Sequence, residues 1–177
     1  MFDGSRITVI LSQTPTSIVV ENGTQWNVTP ILPGSNGAQR WATNMTSGIV
    51  TGTQSIKIVY YHQYLVNFSY SIVGGEGFPN PPVLAGFSFG SPISVTLSGE
   101  PVAIWLDSGS SYSVTNPIVN TTLNEKWYTN TFNGTINGSG QLDIVYRSST
   151  VKYTLLIALL NAVIIAIVII ILVIRRR

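Results

Sequence analysis

The sequence contains no cysteine, a single histidine and few charged residues, and each shortage excludes a class of function. Without cysteine, the fold cannot be cross-linked by disulfides, so an exported domain must be stabilised by core burial and glycans. With His62 as the sole histidine, a histidine-based triad and a multi-histidine metal site are excluded. Charged residues make up only 9% of the chain, so the surface is polar without being ionic, which suits an acidic medium or a glycan-covered surface.

The few charges are unevenly distributed. Six basic and seven acidic residues precede position 153, a net charge of −1, although the whole chain carries +2. The excess of positive charge therefore comes from the C-terminal tail. With no basic patch to neutralise phosphates, nucleic acid is excluded as a partner.

The chain matches itself at a constant offset of 86 residues without a gap. Of the 57 aligned positions from 4 to 60, 19 are identical, among them Trp41 with Trp127 and Gly23 with Gly109. Self-similarity at a fixed period indicates a repeated structural unit. The sequence therefore predicts two copies of one domain in tandem.

Apolar residues alternate with polar ones before position 153. The even positions from Ile56 to Ile72 are mostly apolar or aromatic, and Ile93, Val95 and Leu97 alternate with serine and threonine. Strands that bury one face show this period of two. Short strands separated by turn signals every eight to twelve residues or so are typical of a sandwich. We therefore predict an all-β fold of tandem Ig-like β-sandwich repeats.

The first copy is predicted to be incomplete, because it has no counterpart of residues 61–86 at the offset of 86. Residues 1–13 also lack the pattern of a signal peptide. Both observations favour a C-terminal part of a longer product or a misplaced start codon. A first domain completed by a strand from another chain, or a permuted unit, remains open. The predicted domains are 1–60, a partial repeat, and 61–148, a full repeat.

An apolar run follows a predicted juxtamembrane linker at 149–153. From 154 to 174 the only strongly polar residues are Thr154 and Asn161, and a helix of that length spans about 32 Å, close to the bilayer core of about 30 Å. A basic cluster beside a span stays on the cytoplasmic side, and the predicted cytoplasmic tail is Arg175, Arg176 and Arg177. We therefore predict one C-terminal transmembrane helix at 154–174, with the bilayer as partner, extracellular domains and a cytoplasmic C-terminus.

Seven of the 13 asparagines begin an N-x-[ST] triplet. Chance would give about three at this serine and threonine content, so the excess indicates exposure to N-glycosylation. Pro30 after Asn27-Val-Thr makes that site doubtful. The candidate acceptors are Asn22, Asn44, Asn67, Asn120, Asn133 and Asn137.

Residues that could carry chemistry have simpler structural interpretations. The string Asp107-Ser108-Gly109-Ser110 resembles the signature of aspartic proteases, but the equivalent position in the first copy is Glu21, one methylene too long for a carboxylate dyad. A β-turn with Asp at its first position fits the string better. Trp41 and Trp127 are expected in the cores, with a stacking platform for sugars as the alternative. We predict no enzyme activity, no cofactor and no metal.

The run 60–66, the Gly/Pro loop after it, the run 104–110 and Glu125-Lys126-Trp127 form a distinctive set of strand and turn patterns. These patterns resemble β-sandwich repeats of surface proteins from thermoacidophilic archaea. The resemblance implies an S-layer-associated or thermopsin-like context with a C-terminal anchor. Other surface-layer proteins and copies of the chain itself are then the expected partners.

Three functions remain open at this point. The first is a membrane-anchored, glycosylated stalk or adhesion module without catalysis. The second is the anchoring region of an exported acid protease, whose catalytic domain would precede Met1. The third is an envelope or virion protein of an archaeal virus.

Overall fold

The computed structural model describes residues 6–149, 157–161, 163–165, 167 and 169. Strands are the main regular secondary structure of these residues. The described strands, in chain order, are β1 (Gln25–Asn27), β2 (Gln39–Ala42), β3 (Ser47–Ile49), β4 (Tyr61–Val73), β5 (Val83–Ser88), β6 (Ser91–Thr96), β7 (Val102–Asp107), β8 (Ser111–Val114), β9 (Ile118–Asn120), β10 (Glu125–Tyr128), β11 (Asn133–Thr135) and β12 (Gly140–Ser148).

The strands form three sheets. Strands β1 and β3 make a two-stranded sheet, sheet A. Sheet B has the order β2-β4-β12-β10-β9, with β7 also paired to β4, and sheet C has the order β11-β8-β5-β6. All pairings are antiparallel except β4 with β12.

Sheets B and C share one hydrophobic core. Strands β8 and β10 bury every second residue, as expected where one face of a sheet is covered. The core residues are Val66, Phe68, Leu84, Leu97, Ile104, Leu106, Tyr112, Val114, Ile118, Trp127, Ile136, Ile144 and Tyr146. All of them lie between residues 61 and 148, so the packed sandwich is the second copy.

Strand β4 has partners along both edges. Its residues 63–68 pair with β7 along one edge. Along the other edge, 61–64 pair with β2 and 66–73 pair with β12. Because β2 belongs to the first copy and β12 to the second, β4 joins the two copies through backbone hydrogen bonds.

Strands separated by 86 residues pair in the same register. In sheet A, Gln25 pairs with Ile49, and in sheet C, Ser111 pairs with Thr135. Trp41 pairs with His62 as Trp127 pairs with Ser148. The two copies therefore use the same backbone arrangement wherever both have the partner strands.

Several strands of the second copy lack an equivalent strand in the described residues of the first, among them β9, whose counterpart is 32–34. The counterparts of β6, β7 and residues 140–146 of β12 fall at 5–10, 16–21 and 54–60, and the described residues of these segments are not strands. In the second copy those strands pair with β4 and β5. Since the sequence has no counterpart of residues 61–86, these segments have no strand to pair with.

The first copy nevertheless has apolar residues at the sequence positions equivalent to the core of the second copy. Ten core residues of the second copy, from Leu97 to Tyr146, have counterparts at the offset of 86, and all ten are apolar or aromatic. The counterparts are Leu11, Ile18, Val20, Trp26, Val28, Leu32, Trp41, Val50, Ile58 and Tyr60. None of these ten is fully buried.

The prediction of a transmembrane helix is wrong. Of the predicted span, the structure describes 157–161, 163–165, 167 and 169, all of them helical; its other positions lie outside the described residues. No helix among the described residues is long and apolar enough to cross a membrane, since a span needs about 20 residues. The predictions of a span over 154–174 and of a single-pass membrane location are therefore wrong. Linker positions 150–153 and Arg175, Arg176 and Arg177 lie outside the described residues.

The two equivalent tryptophans should contribute unequally to stability. Trp127 is fully buried in the core, so Trp127→Ala should lower the free energy of unfolding by about 3–5 kcal/mol. Trp41 is half-buried and stacks on His62, so Trp41→Ala should cost only about 1–2 kcal/mol. Urea unfolding of both variants measures the difference, and equal losses would contradict the assignment of one packed core to residues 61–148.

Candidate functional site

Asp107 begins a tight turn between β7 and β8. The backbone N–H of Ser110 donates to the Asp107 carbonyl at 3.1 Å, and the Ser110 hydroxyl donates to the same oxygen at 2.7 Å. Gly109 supplies the positive φ of 75° that the turn requires. The first copy forms the same turn, with Thr24 donating to the Glu21 carbonyl at 3.1 Å. The string that resembles a protease signature is thus a tight turn, and the first copy has the equivalent turn at Glu21–Thr24.

The carboxylate of Asp107 is occupied by three donors. It accepts hydrogen bonds from the backbone N–H groups of Phe89 at 2.9 Å and Gly90 at 2.7 Å. The Gln63 side-chain amide donates a third at 2.9 Å. A buried carboxylate held in this way fixes the turn between β5 and β6, and its oxygens have little capacity left for a substrate.

Gln63 connects this carboxylate to the first copy. Its side chain is fully buried, it accepts from Arg40 Nε at 2.9 Å, and it also donates to the Ser88 hydroxyl at 3.0 Å. We call Arg40, Gln63, Ser88 and Asp107 the junction cluster. It joins β2, β4, β5 and β7, and therefore ties the first copy to the sandwich.

Arg40 is held by aromatic rings as well. Its guanidinium carbon lies 4.3 Å from the centroid of the Trp105 ring and 5.6 Å from that of Phe89. Such contacts stabilise a cation by about 0.5–2 kcal/mol. Burial lowers the pKa of Arg40 from its ordinary value. The two charged groups of the junction cluster, those of Arg40 and Asp107, are thus engaged in contacts within the chain.

His62 lies beside the junction cluster. Its ring stacks on Trp41 with centroids 4.4 Å apart and contacts Tyr64 at 4.7 Å. Its Nε2 lies 3.3 Å from Gln39 Oε1. In the part of the chain that the structure describes, no group of three or more His, Asp or Glu side chains could hold a metal ion.

Two further carboxylates are hydrogen-bonded within the sandwich. Asp143 accepts from the Ser69 hydroxyl and, at 2.9 Å, from Gln141 Nε2. These two bonds, that from Ser69 foremost, hold the pKa of Asp143 below its usual value. Glu125 is buried and accepts from the Ser148 hydroxyl and, at 3.1 Å, from the Glu76 N–H.

The candidate glycan acceptors fall into two groups. Four of them are exposed: Asn22, Asn44, Asn133 and Asn137. Asn67 and Asn120 are half-buried. Asn67 lies inside β4 between β7 and β12, and Asn120 donates from Nδ2 to the Gly77 carbonyl at 2.6 Å.

One open groove of about 300 Å³ is lined by Val66 and residues 135–142. Its lining has the candidate acceptor Asn137 but no titratable side chain. It therefore lacks a general acid or base, and the hydroxyls of Thr135 and Ser139 have no base in the lining to activate them as nucleophiles.

Sequence reasoning missed Arg40, Gln63 and Glu125 as organising residues. Gln63 and Asp107 are 44 positions apart in sequence, and alternation alone places neither near the other. A partial signal existed for Glu125, since its counterpart Gln39 is also polar. The sequence did indicate Asp107 as the first residue of a β-turn, but not the hydrogen bonds that its carboxylate accepts.

Asp107→Ala should destabilise the fold strongly. Three donors would lose their acceptor, and unsatisfied buried donors cost about 1–3 kcal/mol each, so we expect a loss of about 3–5 kcal/mol. Asp107→Asn, which retains one acceptor oxygen, should lose less. Chemical denaturation measures both, and the exposed neighbour Ser108→Ala should change stability by less than about 0.5 kcal/mol. A wild-type stability for Asp107→Ala would refute the role of the junction cluster.

Asp143 should contribute to a pH-dependent stability. Because its folded-state pKa is lowered, ionised Asp143 stabilises the fold above the ordinary carboxyl pKa of about 3.9, and the contribution disappears as the pH falls through the folded-state pKa. Asp143→Asn should therefore be less stable than wild type near neutrality, with the difference shrinking in acid. Unfolding midpoints measured across that range check this, with the exposed Glu100→Gln as control. A difference that grows in acid would reverse the sign and overturn the assignment.

No family model matches the sequence, and neither curated proteins nor solved structures gave a match to the chain.

Proposed function

We propose that the chain is a glycosylated structural module of a cell surface, without catalysis of its own. The observation that carries the proposal is the exposure of four sequon asparagines, Asn22, Asn44, Asn133 and Asn137. They lie in both copies, in loops and at the edge strand β11 of sheet C. Glycans at these positions would cover the loops and the edge while leaving the core packing undisturbed.

The use of the polar side chains supports a structural role. The carboxylates of Asp107, Glu125 and Asp143 all accept hydrogen bonds from residues of the chain. His62 is engaged by Trp41 and Gln39. Side chains of these types carry hydrolytic chemistry when they converge on a cleft, whereas here they hold strands and turns together.

The surface composition agrees with an exterior location. Charged residues are only 9% of the chain, so its surface is hydrated mainly through neutral polar groups, to which glycans would add. Cysteine is also absent. The resemblance of the strand and turn motifs to repeats of archaeal surface proteins points in the same direction. Partners would then be other surface-layer proteins.

Glycan mapping tests the proposal. In a host that performs N-glycosylation, intact mass and peptide mapping should find glycans at Asn22, Asn44, Asn133 and Asn137. Asn120 should stay unmodified, because its amide nitrogen is bonded to the Gly77 carbonyl and packs against that residue. Asn67 should also stay unmodified, because the Ser69 hydroxyl of its triplet donates to Asp143.

Matched variants separate the glycan from the side chain. Thr24→Ala, Thr46→Ala, Thr135→Ala and Ser139→Ala each keep the asparagine but destroy the triplet, so each should remove one glycan mass. The proposal fails if all four exposed asparagines remain unmodified in a host that glycosylates a reference protein. Modification of Asn120 in the folded protein would instead contradict its hydrogen bonding.

A further inference from the structure

Four asparagines of the chain are followed directly by glycine: Asn22, Asn36, Asn133 and Asn137. At such a step the backbone nitrogen of the glycine can attack the side-chain amide carbon of the asparagine, because glycine has no Cβ to crowd the approach. The attack closes a succinimide ring and releases ammonia, which is one reason why asparagine is thermolabile. Whether the folded chain permits the reaction depends on the hydrogen bonds and backbone conformation at each step.

The step at Asn22 is blocked by a hydrogen bond. The N–H of Gly23, which carries the attacking nitrogen, donates to the Val50 carbonyl at 2.7 Å. Asn22 and Gly23 also form the centre of the turn that the bond from Thr24 to the Glu21 carbonyl closes. Reaction at Asn22 therefore requires local opening of the turn and loss of the contact with Val50.

The step at Asn133 is blocked by strand pairing. Asn133 and Gly134 lie in β11, opposite Ser113 and Tyr112 of β8. Ring closure requires Asn133 Cβ and the glycine nitrogen to eclipse one another about the Cα–C bond, whereas a strand holds ψ at about +135° and keeps them apart. Reaction at Asn133 therefore requires β11 to leave the edge of sheet C.

The side chain of Asn36 is fixed by the backbone that follows it. Its Oδ1 accepts from the N–H groups of Ala38 at 2.8 Å and Gln39 at 2.9 Å. Its own N–H donates to the Gln39 carbonyl at 2.8 Å. Moving the amide carbon onto the nitrogen of Gly37 would disrupt the two side-chain bonds, so this step is also disfavoured.

Asn137 has none of these restraints. With Gly138 it lies between β11 and β12, outside the strands, and both residues are exposed. Within the part of the chain that the structure describes, neither the Asn137 side chain nor the Gly138 N–H has a hydrogen-bond partner. A Cβ at Gly138 would meet no atom within 4 Å beyond its chain neighbours. The attacking nitrogen is therefore uncrowded and open to water.

We propose that Asn137 is a deamidation site, the first of the four Asn-Gly steps to react in the folded chain. The nitrogen of Gly138 bonds to Asn137 Cγ, the Cγ–Nδ2 bond breaks, and ammonia leaves with the proton from the attacking nitrogen. Water then opens the succinimide at either carbonyl and gives aspartate or isoaspartate. The inference concerns the unmodified asparagine and stands independently of glycosylation.

Deamidation would change the surface at this position. It replaces a neutral amide with a carboxylate in the lining of the groove formed by Val66 and residues 135–142, which has no titratable side chain. It also destroys the N-x-[ST] triplet, because a carboxylate is not a glycan acceptor. The isoaspartate form further lengthens the backbone by one methylene just before β12.

Peptide mapping of the full chain tests the proposal. The chain is produced in a host without N-glycosylation and incubated in mildly alkaline buffer, and aspartate and isoaspartate are quantified over time at all four steps. In the folded chain, Asn137 should react on the order of tenfold faster than Asn22 and Asn133, whose reaction depends on local opening. In concentrated urea the four rates should become similar, because all four share the Asn-Gly step.

Two variants of the same loop make the test specific. Gly138→Ala adds a Cβ in open space and should slow the reaction at Asn137 on the order of tenfold, because the conformational range of the attacking residue narrows. Ser139→Ala keeps Asn137 and Gly138 but destroys the triplet, and should react as wild type. Neither substitution should affect the core, since both positions are exposed.

Three results would overturn the proposal. One is a rate at Asn137 no higher than that at another Asn-Gly step of the folded chain. Another is the same ranking of the four steps in urea as in the folded chain, which would make the ranking a property of local sequence. The third is an unchanged rate in the Gly138→Ala variant, which would exclude attack by the Gly138 nitrogen as the route.

Discussion

Backbone pairing along both edges of β4 is the constraint on which the rest of the structure depends. Residues 63–68 bond to β7 on one side, while β2 and β12 follow one another along the other side. Because β2 comes from the first copy, the ladder that closes the sandwich also holds the neighbouring copy in register. The side chains of β4 add Val66 and Phe68 to the core, so one strand supplies both the hydrogen bonds and the apolar contacts that unite the fold.

Buried polar groups make the junction specific. Gln63 is fully buried, yet it bonds to Arg40 on one side and to Asp107 on the other. A buried amide without such partners would cost about 1–3 kcal/mol. The network therefore favours the one arrangement in which β2, β4 and β7 are all in place, and the charges of Arg40 and Asp107 hold these strands together.

The sequence predicted which segments form strands better than it predicted which strands and side chains contact one another. Alternation identified the inward residues Val66 and Phe68, since burial of one face leaves a period of two. It also suggested a strand from Ile56, but β4 begins at Tyr61, because residues 56–60 have no partner strand to complete their hydrogen bonds. The burial of Gln63 depends on contacts distant in sequence and leaves no local pattern. The transmembrane helix predicted from the apolar run at 154–174 was wrong, because no helix among the described residues is long and apolar enough to cross a membrane.

The parallel pairing of β4 with β12 has a mechanical consequence. The chain enters the sandwich at the first residue of β4 and leaves it at the last residue of β12, and the two strands run in the same direction through the pairs from Val66 with Gly140 to Val73 with Arg147. A pull between those two points acts along the strands from opposite ends of the ladder. The load is then shared by all the pairs in shear, whereas a pull at one end would open them one after another. This geometry resists extension along the chain, which is the direction in which a tether under tension is loaded.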